Sequence, residues 1–124
     1  MNALLIFIGA GIGGVTRYWI SNLTYHFLNR GFPYGTLFVN VTGCFLMGLL
    51  YPILLERVSG FDVQLRAFLL IGLLGGYTTF SSFSIETLNL FENGNWSEVI
   101  SNILLSVMLC LGATWLGLIL GRNV

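Results

Sequence analysis

The run of residues 78–84 combines hydroxyl and aromatic side chains inside an otherwise apolar part of the chain. At helical spacing Phe80 and Phe83 share one face, and hydroxyls occupy most of the remaining circumference. A helix facing lipid does not carry so many hydroxyls, because each one needs a hydrogen-bond partner once it is buried. The run therefore predicts contact with water, another polar helix or a permeant ion, although Ser and Thr also bond back to their own helix. The hydroxyl carriers are Thr78, Thr79, Ser81, Ser82 and Ser84.

A weak point for helix precedes this run. Gly75 and Gly76 are followed by the β-branched Thr78 and Thr79, and both residue types disfavour helix. The pattern predicts an unwound turn at residues 75–78, which breaks the third apolar span at mid-membrane. Freed backbone groups are tolerated in hydrocarbon only when they are buried in protein or beside a water-filled or ion-filled site. The alternative is an unbroken helix with a glycine-lined packing notch.

Isolated polar side chains occur in the second and fourth apolar stretches. Asn40 carries two amide N–H donors, which either join two helices or serve an ion. Ser106, Cys110 and Thr114 recur every four residues. They form a mildly polar stripe that could face the same pathway.

Two ionisable residues lie within the apolar stretches, Arg17 in the first and Glu86 in the third. Arg17 lies near one helix end, so its side chain either extends to the interface or attracts anions to a vestibule. Glu86 is either the partner of Arg17 or a wall residue near the opposite mouth. Charge is expensive at these depths, which makes both positions candidates for function.

The elements that position these residues follow from composition. The chain is 56% hydrophobic and 8% charged, with mean hydropathy +0.86, whereas a soluble domain carries about 25% charged residues. Three stretches lack charge and are long enough to cross a bilayer, and a fourth is interrupted only by Arg17. We predict an all-α membrane protein, a single transmembrane domain over residues 1–124. Its helices are expected at about 3–25, 34–55, 65–91 and 98–121.

Several function classes are disfavoured. The net charge is +0 and all five basic residues are Arg, so no footprint for nucleic acid is present. Cys44 and Cys110 occur without a CxxC or Cys/His cluster, which favours packing residues over a disulfide or a zinc site. Residues 9–14 satisfy GxGxxG but lie in an apolar helix without the strand and acidic residue of a dinucleotide site. His26 lies near a membrane boundary and forms no nucleophile–base arrangement in the pattern, so we predict no enzyme.

Glycine and arginine positions bear on packing and topology. Gly9-xxx-Gly13 and Gly117-xxx-Gly121 are typical of close helix contacts, either within a subunit or between subunits. Three arginines fall on the side shared by both termini and Arg30 alone falls on the other. This weak bias places the termini in the cytoplasm and is compatible with insertion in both orientations. The three are Arg57, Arg66 and Arg122.

Three motifs together resemble the Fluc (CrcB) family of fluoride channels. They read Gly14-Val-Thr-Arg-Tyr18, Gly35-Thr-Leu-Phe-Val-Asn-Val-Thr-Gly43 and Gly75-Gly-Tyr-Thr-Thr-Phe-Ser-Ser-Phe-Ser84. The resemblance covers the whole chain. It implies an antiparallel, dual-topology homodimer in the inner or plasma membrane that exports fluoride passively. Two pathways at the dimer interface and a central structural Na⁺ are also implied.

The resemblance also implies roles for individual residues. Ring edges of Phe80 and Phe83 would face fluoride, Asn40 would donate a hydrogen bond, and backbone carbonyls of Gly75 and Thr78 would bind Na⁺. The implied fluoride pathway comprises Arg17, Asn40, Thr79, Phe80, Ser81, Ser82, Phe83 and Ser106. Hydroxyls, carboxamides and aromatic edges are neutral donors suited to replace the water of a small, tightly hydrated anion.

Two features leave alternatives open. Cys110 stands where the resemblance leads us to expect Ser, and some relatives pair two different subunits, although Asn40 and the Phe pair favour a self-sufficient homodimer. A small multidrug or guanidinium exporter also has four short spans, but it relies on a carboxylate in the first span, where this chain carries Arg17. A non-transporting membrane subunit would use the polar residues only to join helices.

Overall fold

Helices account for almost all of residues 1–57 and 62–124, which the computed structural model describes. Helix α1 is Asn2–Phe27, and α2 is Tyr34–Pro52, which continues as a π-helical turn, Ile53–Arg57. We call the next three consecutive segments α3 together. They are Asp62–Leu65, the π-helical Arg66–Leu74 and the final turn Gly75–Tyr77. Helix α4 is Ser81–Glu92 and α5 is Trp96–Asn123.

Four stretches of the described chain are long and apolar enough to cross a membrane. They agree with the four predicted helices to within a few residues at each end. The sequence predicts a loop at residues 56–64, but helix resumes at Asp62, before the predicted end of this loop. Residues 58–61 lie outside the described part of the chain. The four stretches are Asn2–Phe27, Tyr34–Glu56, Val63–Glu92 and Trp96–Asn123.

The turn between α4 and α5 shows how tightly the helices are connected. Gly94 has φ 77°, a left-handed conformation that glycine adopts without steric cost. The N–H of Gly94 donates to the Phe91 carbonyl at 3.0 Å, and that of Asn95 donates to the Leu90 carbonyl at 2.9 Å. This is the Schellman pairing that satisfies the last carbonyls of a helix. It lets α5 begin four residues after α4 ends.

Glycines bring α1 and α3 into direct backbone contact along a line that we call the α1–α3 seam. A Cβ on Gly13 would collide with the Leu73 carbonyl and lie 2.9 Å from the Tyr77 nitrogen. One on Gly76 would come within 2.5 Å of the Ala10 carbonyl oxygen. Of the three glycines of the GxGxxG pattern, Gly9 lies in this contact, whereas a Cβ on Gly11 or Gly14 would meet nothing within 4 Å, so the packing motif is Gly9-xxx-Gly13. The seam consists of Gly9, Gly13, Gly72 and Gly76.

A second seam joins α2 to α5. A Cβ on Gly48 would collide with the Thr114 carbonyl, and one on Gly117 would collide with the Phe45 carbonyl. Gly121 lies against Leu49 in the same way. Both small-residue patterns noted in the sequence therefore serve contacts within one chain.

Large apolar side chains cover the outside of this bundle. Phe7, Trp19 and Trp115 are 76%, 66% and 67% exposed. Exposure of so many apolar side chains to water is unfavourable in free energy, whereas their exposure to hydrocarbon carries no such cost. The outer surface of the fold is suited to lipid.

Candidate functional site

Residues 78–80, which we call the junction, separate α3 from α4. Thr78 is extended, with φ −85° and ψ 158°, and its N–H makes the last helical bond, 3.0 Å to the Leu74 carbonyl. The residue pattern predicts an unwound turn at residues 75–78, but Gly75–Tyr77 is helical. The glycine pair is not where the helix opens, because Gly76 is needed for the close approach of Ala10.

Asn40 supplies the hydrogen bonds that the helix gives up at the junction. Its Nδ2 donates to the Thr79 carbonyl at 2.9 Å, and its Oδ1 accepts from the Thr79 N–H at 2.8 Å. In a continuing α-helix that N–H would bond the carbonyl of Gly75, four residues earlier. One carboxamide from α2 thus replaces the helical partners of both backbone groups of Thr79. The second N–H of the amide is not used on Thr79.

Arg17 performs a related task from α1. Its Nε donates to the Gly76 carbonyl at 3.2 Å, and the side chain is half-buried. A continuing helix would offer that carbonyl the N–H of Phe80. The guanidinium is therefore turned toward α3.

The Thr79 hydroxyl organises the start of α4. It accepts from the Ser82 N–H at 3.2 Å, in the manner of a helix N-cap. It also lies 3.2 Å from the Ser81 hydroxyl and 3.3 Å from that of Ser82. Thr78 donates back to the Leu74 carbonyl at 3.0 Å. Several hydroxyls of the polar run thus bond to their own chain, one of the alternatives noted for them.

A cavity of about 350 Å³ lies beside the junction, and we call it the junction cavity. The rings of Phe80 and Phe83 form part of its wall, with centroids 5.4 Å apart and planes tilted by 49°. Phe80 is 76% exposed, so the cavity is open toward the outside of the bundle. It gathers residues from α2, the junction, α4 and α5: Asn40, Cys44, Thr78, Thr79, Phe80, Phe83, Ser106, Val107, Cys110 and Leu111.

A second cavity, of about 290 Å³, lies on the other side of Thr79, and we call it the vestibule. It is more polar than the junction cavity, and Arg17 and Glu86 both line it. Oε1 of Glu86 is buried without a hydrogen-bond partner. The remaining lining residues are Gly14, Tyr18, Ser21, Asn22, Tyr25, Thr36, Thr79 and Ser82.

The two cavities account for seven of the eight predicted pathway residues. Asn40, Phe80, Phe83 and Ser106 line the junction cavity, Arg17 and Ser82 line the vestibule, and Thr79 lines both. The eighth, Ser81, is exposed at the start of α4. The stripe on the fourth helix is divided, since Ser106 and Cys110 face the junction cavity whereas the Thr114 hydroxyl bonds the Cys110 carbonyl at 2.9 Å.

Two backbone carbonyls near the junction are available to a cation. The N–H groups that would bond Gly75 and Thr78 in a continuing helix belong to Thr79 and Ser82, which bond Asn40 and the Thr79 hydroxyl instead. Gly75 is exposed on the outer face. No group of three or more His, Cys, Asp or Glu side chains occurs among the described residues. A metal here would depend on carbonyl oxygens.

A buried hydrogen-bond network between α4 and α5 is not predicted from the sequence. Asn102, only 2% exposed, donates from Nδ2 to the Thr87 hydroxyl at 2.8 Å, and its Oδ1 accepts from Ser106 at 3.4 Å. Thr87 in turn donates to the Phe83 carbonyl at 2.7 Å. Asn102 lies four residues before the Ser106 stripe, and that spacing is the signal that could have revealed it.

Comparison with known proteins gives consistent matches over nearly the whole chain. The family model for CrcB-like protein, Camphor Resistance (CrcB), matches residues 4–118. The chain is 58% identical to the Fluoride-specific ion channel FluC of Coxiella burnetii (strain Dugway 5J108-111), over all of both proteins. It is 47% identical to the protein of that name from Magnetococcus marinus, again over all of both. The same identity holds for one from Methylococcus capsulatus, of which 54% is covered.

Proposed function

The chain belongs to the CrcB-like protein family, and on that premise we propose that it is a fluoride-selective channel through which the ion leaves the cytoplasm down its gradient. It is a multi-pass integral membrane protein, and its relatives are named as channels, not enzymes. The observation that carries the proposal is the junction cavity. Donors suited to a small anion converge there from four parts of the fold.

The chemistry of the cavity suits fluoride. A pore for a tightly hydrated anion must replace water with donors, without a site so deep that the ion cannot leave. The second N–H of Asn40 and the positive ring edges of Phe80 and Phe83 are neutral donors of this kind. They give partial positive charge in the narrow region without a fixed cation.

The vestibule supplies the approach. Arg17 and Glu86 both line its wall, and in this proposal the positive charge of Arg17 attracts the anion. Thr79 lies on the walls of both cavities, so an ion leaving the vestibule would pass this residue before it reaches Phe80 and Phe83. Ser82 adds a hydroxyl on the vestibule side, and Ser106 adds one beyond the rings.

A second copy of the chain completes the pathway in this proposal. Phe80 is 76% exposed, and the junction cavity opens to the outer surface, where lipid would otherwise enter. An antiparallel partner would close the two cavities of the pair and give two pathways at the interface. The weak bias among the arginines, which allows both insertions, supports this arrangement.

The break between α3 and α4, placed at mid-membrane, would hold a central Na⁺ in the same dimer. The carbonyls of Gly75 and Thr78 have lost their helical donors, and Gly75 is exposed on the face that a partner would cover. Two copies would bring four such oxygens together, a donor set that suits a hard cation. When bound, the ion would supply positive charge and link the two copies.

Fluoride efflux from liposomes tests the proposal. Purified protein should release fluoride at a rate that follows the electrical gradient, with little release of chloride. Proton-coupled uptake of a cation would instead indicate an exporter, and absence of any flux would indicate a non-transporting subunit. Either result contradicts the channel.

The aromatic pair provides the sharpest variant. We expect Phe83→Ile or Phe80→Ile to reduce fluoride efflux about 100-fold or more while assembly is unchanged, because an aliphatic side chain has no positive edge. Phe7→Ile is the matched control, since Phe7 has the same 76% exposure as Phe80 but lies on the outer face of α1. Wild-type flux in either junction variant contradicts the role of the rings.

A further inference from the structure

The two cysteines of the chain face each other across the α2–α5 seam. A Cβ on Gly48 would collide with the Thr114 carbonyl, so the two backbones are in contact at that level. Cys44 and Cys110 lie one helical turn earlier on α2 and α5. Both thiols are free and half-buried, and both line the junction cavity.

The thiol pair is in register with the candidate pathway. Another turn earlier on the same two helices are Asn40 and Ser106, which line the same cavity. The thiols are therefore neighbours of the Asn40 amide and of the Phe83 ring. Anything bound between the thiols would occupy space through which the proposed pathway runs.

We propose that Cys44 and Cys110 form a binding site for a soft divalent metal ion with a preference for two ligands, and that its occupation closes the fluoride pathway. Binding replaces each S–H proton by a metal–sulfur bond, so two protons are released and no electron is transferred. Soft thiolate ligands select soft metals. The blocking effect rests on the proposed function, whereas the binding itself does not.

The surroundings favour this class of ion over zinc. Structural zinc takes four ligands, and no group of three or more His, Cys, Asp or Glu occurs among the described residues. A divalent ion between two thiolates forms a neutral unit. Neutrality matters because an unbalanced charge is expensive in a cavity whose wall is mostly apolar.

Mercuric ion is the probe. We expect Hg²⁺ to bind the purified channel in detergent at one ion per chain, measured by the ultraviolet absorption of the mercury–thiolate bonds. The chain contains two cysteines only, so Cys44→Ala/Cys110→Ser removes every thiol. Two ions per wild-type chain would mean that the two thiols bind metal independently, and this result overturns the site. Equal binding by the double variant also overturns it.

Efflux from liposomes tests the block, with each variant normalised to its own rate without metal. We expect Hg²⁺ to slow wild-type fluoride efflux about tenfold or more, with recovery after a small dithiol is added. Cys44→Ala and Cys110→Ser alone should each show weaker inhibition, which a monothiol reverses. Inhibition of the thiol-free variant to the wild-type extent contradicts the block. A chain that binds one ion yet never conducts fluoride contradicts the proposed function and leaves the metal site standing.

Discussion

The α1–α3 seam and the junction follow one another along the third span, and they are stabilised in different ways. Along the seam, glycines place backbone against backbone, and Gly13 and Gly76 leave no room for a Cβ. At the junction, peptide groups are served by side chains from other helices, through Asn40 and Arg17. The seam fixes the distance between α1 and α3, and the junction exposes backbone hydrogen-bond donors and acceptors.

The seam positions the junction. Arg17 lies one turn beyond Gly13 on α1, and it reaches the Gly76 carbonyl because the two helices are already in contact there. The irregular backbone begins directly after that contact, at Thr78. Close helix packing lies directly beside backbone groups that have left the helix. This arrangement allows an ion site while the surrounding helices stay ordered.

The largest effect is expected from filling the seam. Gly13→Ala places a methyl group against the Leu73 carbonyl, a backbone atom that cannot move aside, and should lower the free energy of unfolding by about 3 kcal/mol. The measurement is the denaturant dependence of unfolding in detergent. Gly11→Ala is the matched control, because a Cβ at Gly11 meets nothing within 4 Å. Equal stability of the two variants would show that the seam is not tightly packed.

Removing the junction's main support should reduce both flux and stability. Asn40→Leu leaves the N–H and the carbonyl of Thr79 without partners and removes a donor from the cavity. Fluoride efflux should fall about 100-fold, because each unpaired buried group costs about 1–3 kcal/mol and the backbone shifts to satisfy it.

Asn40→Asp separates the two contributions of this side chain. An ionised carboxylate still accepts from the Thr79 N–H, but it cannot donate and it repels an anion. We expect flux to stay low in Asn40→Asp, because the carboxylate neither donates to the ion nor admits it. Recovery of flux in Asn40→Asp would mean that the amide serves only the backbone.

A smaller effect is expected at Arg17. Arg17→Met should lower fluoride efflux about tenfold, because both the positive charge of the vestibule and the bond to the Gly76 carbonyl are lost. Arg17→Lys keeps the charge and should retain most of the flux at low salt. Equal flux in the Met and Lys variants would show that charge has no part in the role of Arg17.

The smallest effect concerns a bond outside both cavity walls. The hydroxyl of the buried Tyr77 lies 2.8 Å from that of Thr42 and joins α3 to α2. Tyr77→Phe should cost about 1 kcal/mol of stability, the usual value of one such bond, and should leave flux close to wild type. A large loss of flux would show that this contact also supports the fluoride pathway.

Much of the architecture could be predicted from the sequence because it depends on local composition. Three charge-free stretches and a fourth interrupted only by Arg17 set the four spans, and their ends agree with the structure to within a few residues. The density of hydroxyls at residues 78–84 identified the region of the two cavities. The antiparallel dimer, the Na⁺ and the membrane orientation stay predictions.

Only the tertiary structure determines which hydrogen-bond or packing partner each of these residues has on another helix. The sequence suggested that the glycine pair opens the helix, yet Gly75–Tyr77 is helical because Gly76 packs against α1 and the opening depends on Asn40 from α2. Cys44 and Cys110 looked like separate packing residues and face each other instead. Hydropathy and spacing report a residue's own helix, whereas a hydrogen-bond partner on another helix is determined by how the helices pack.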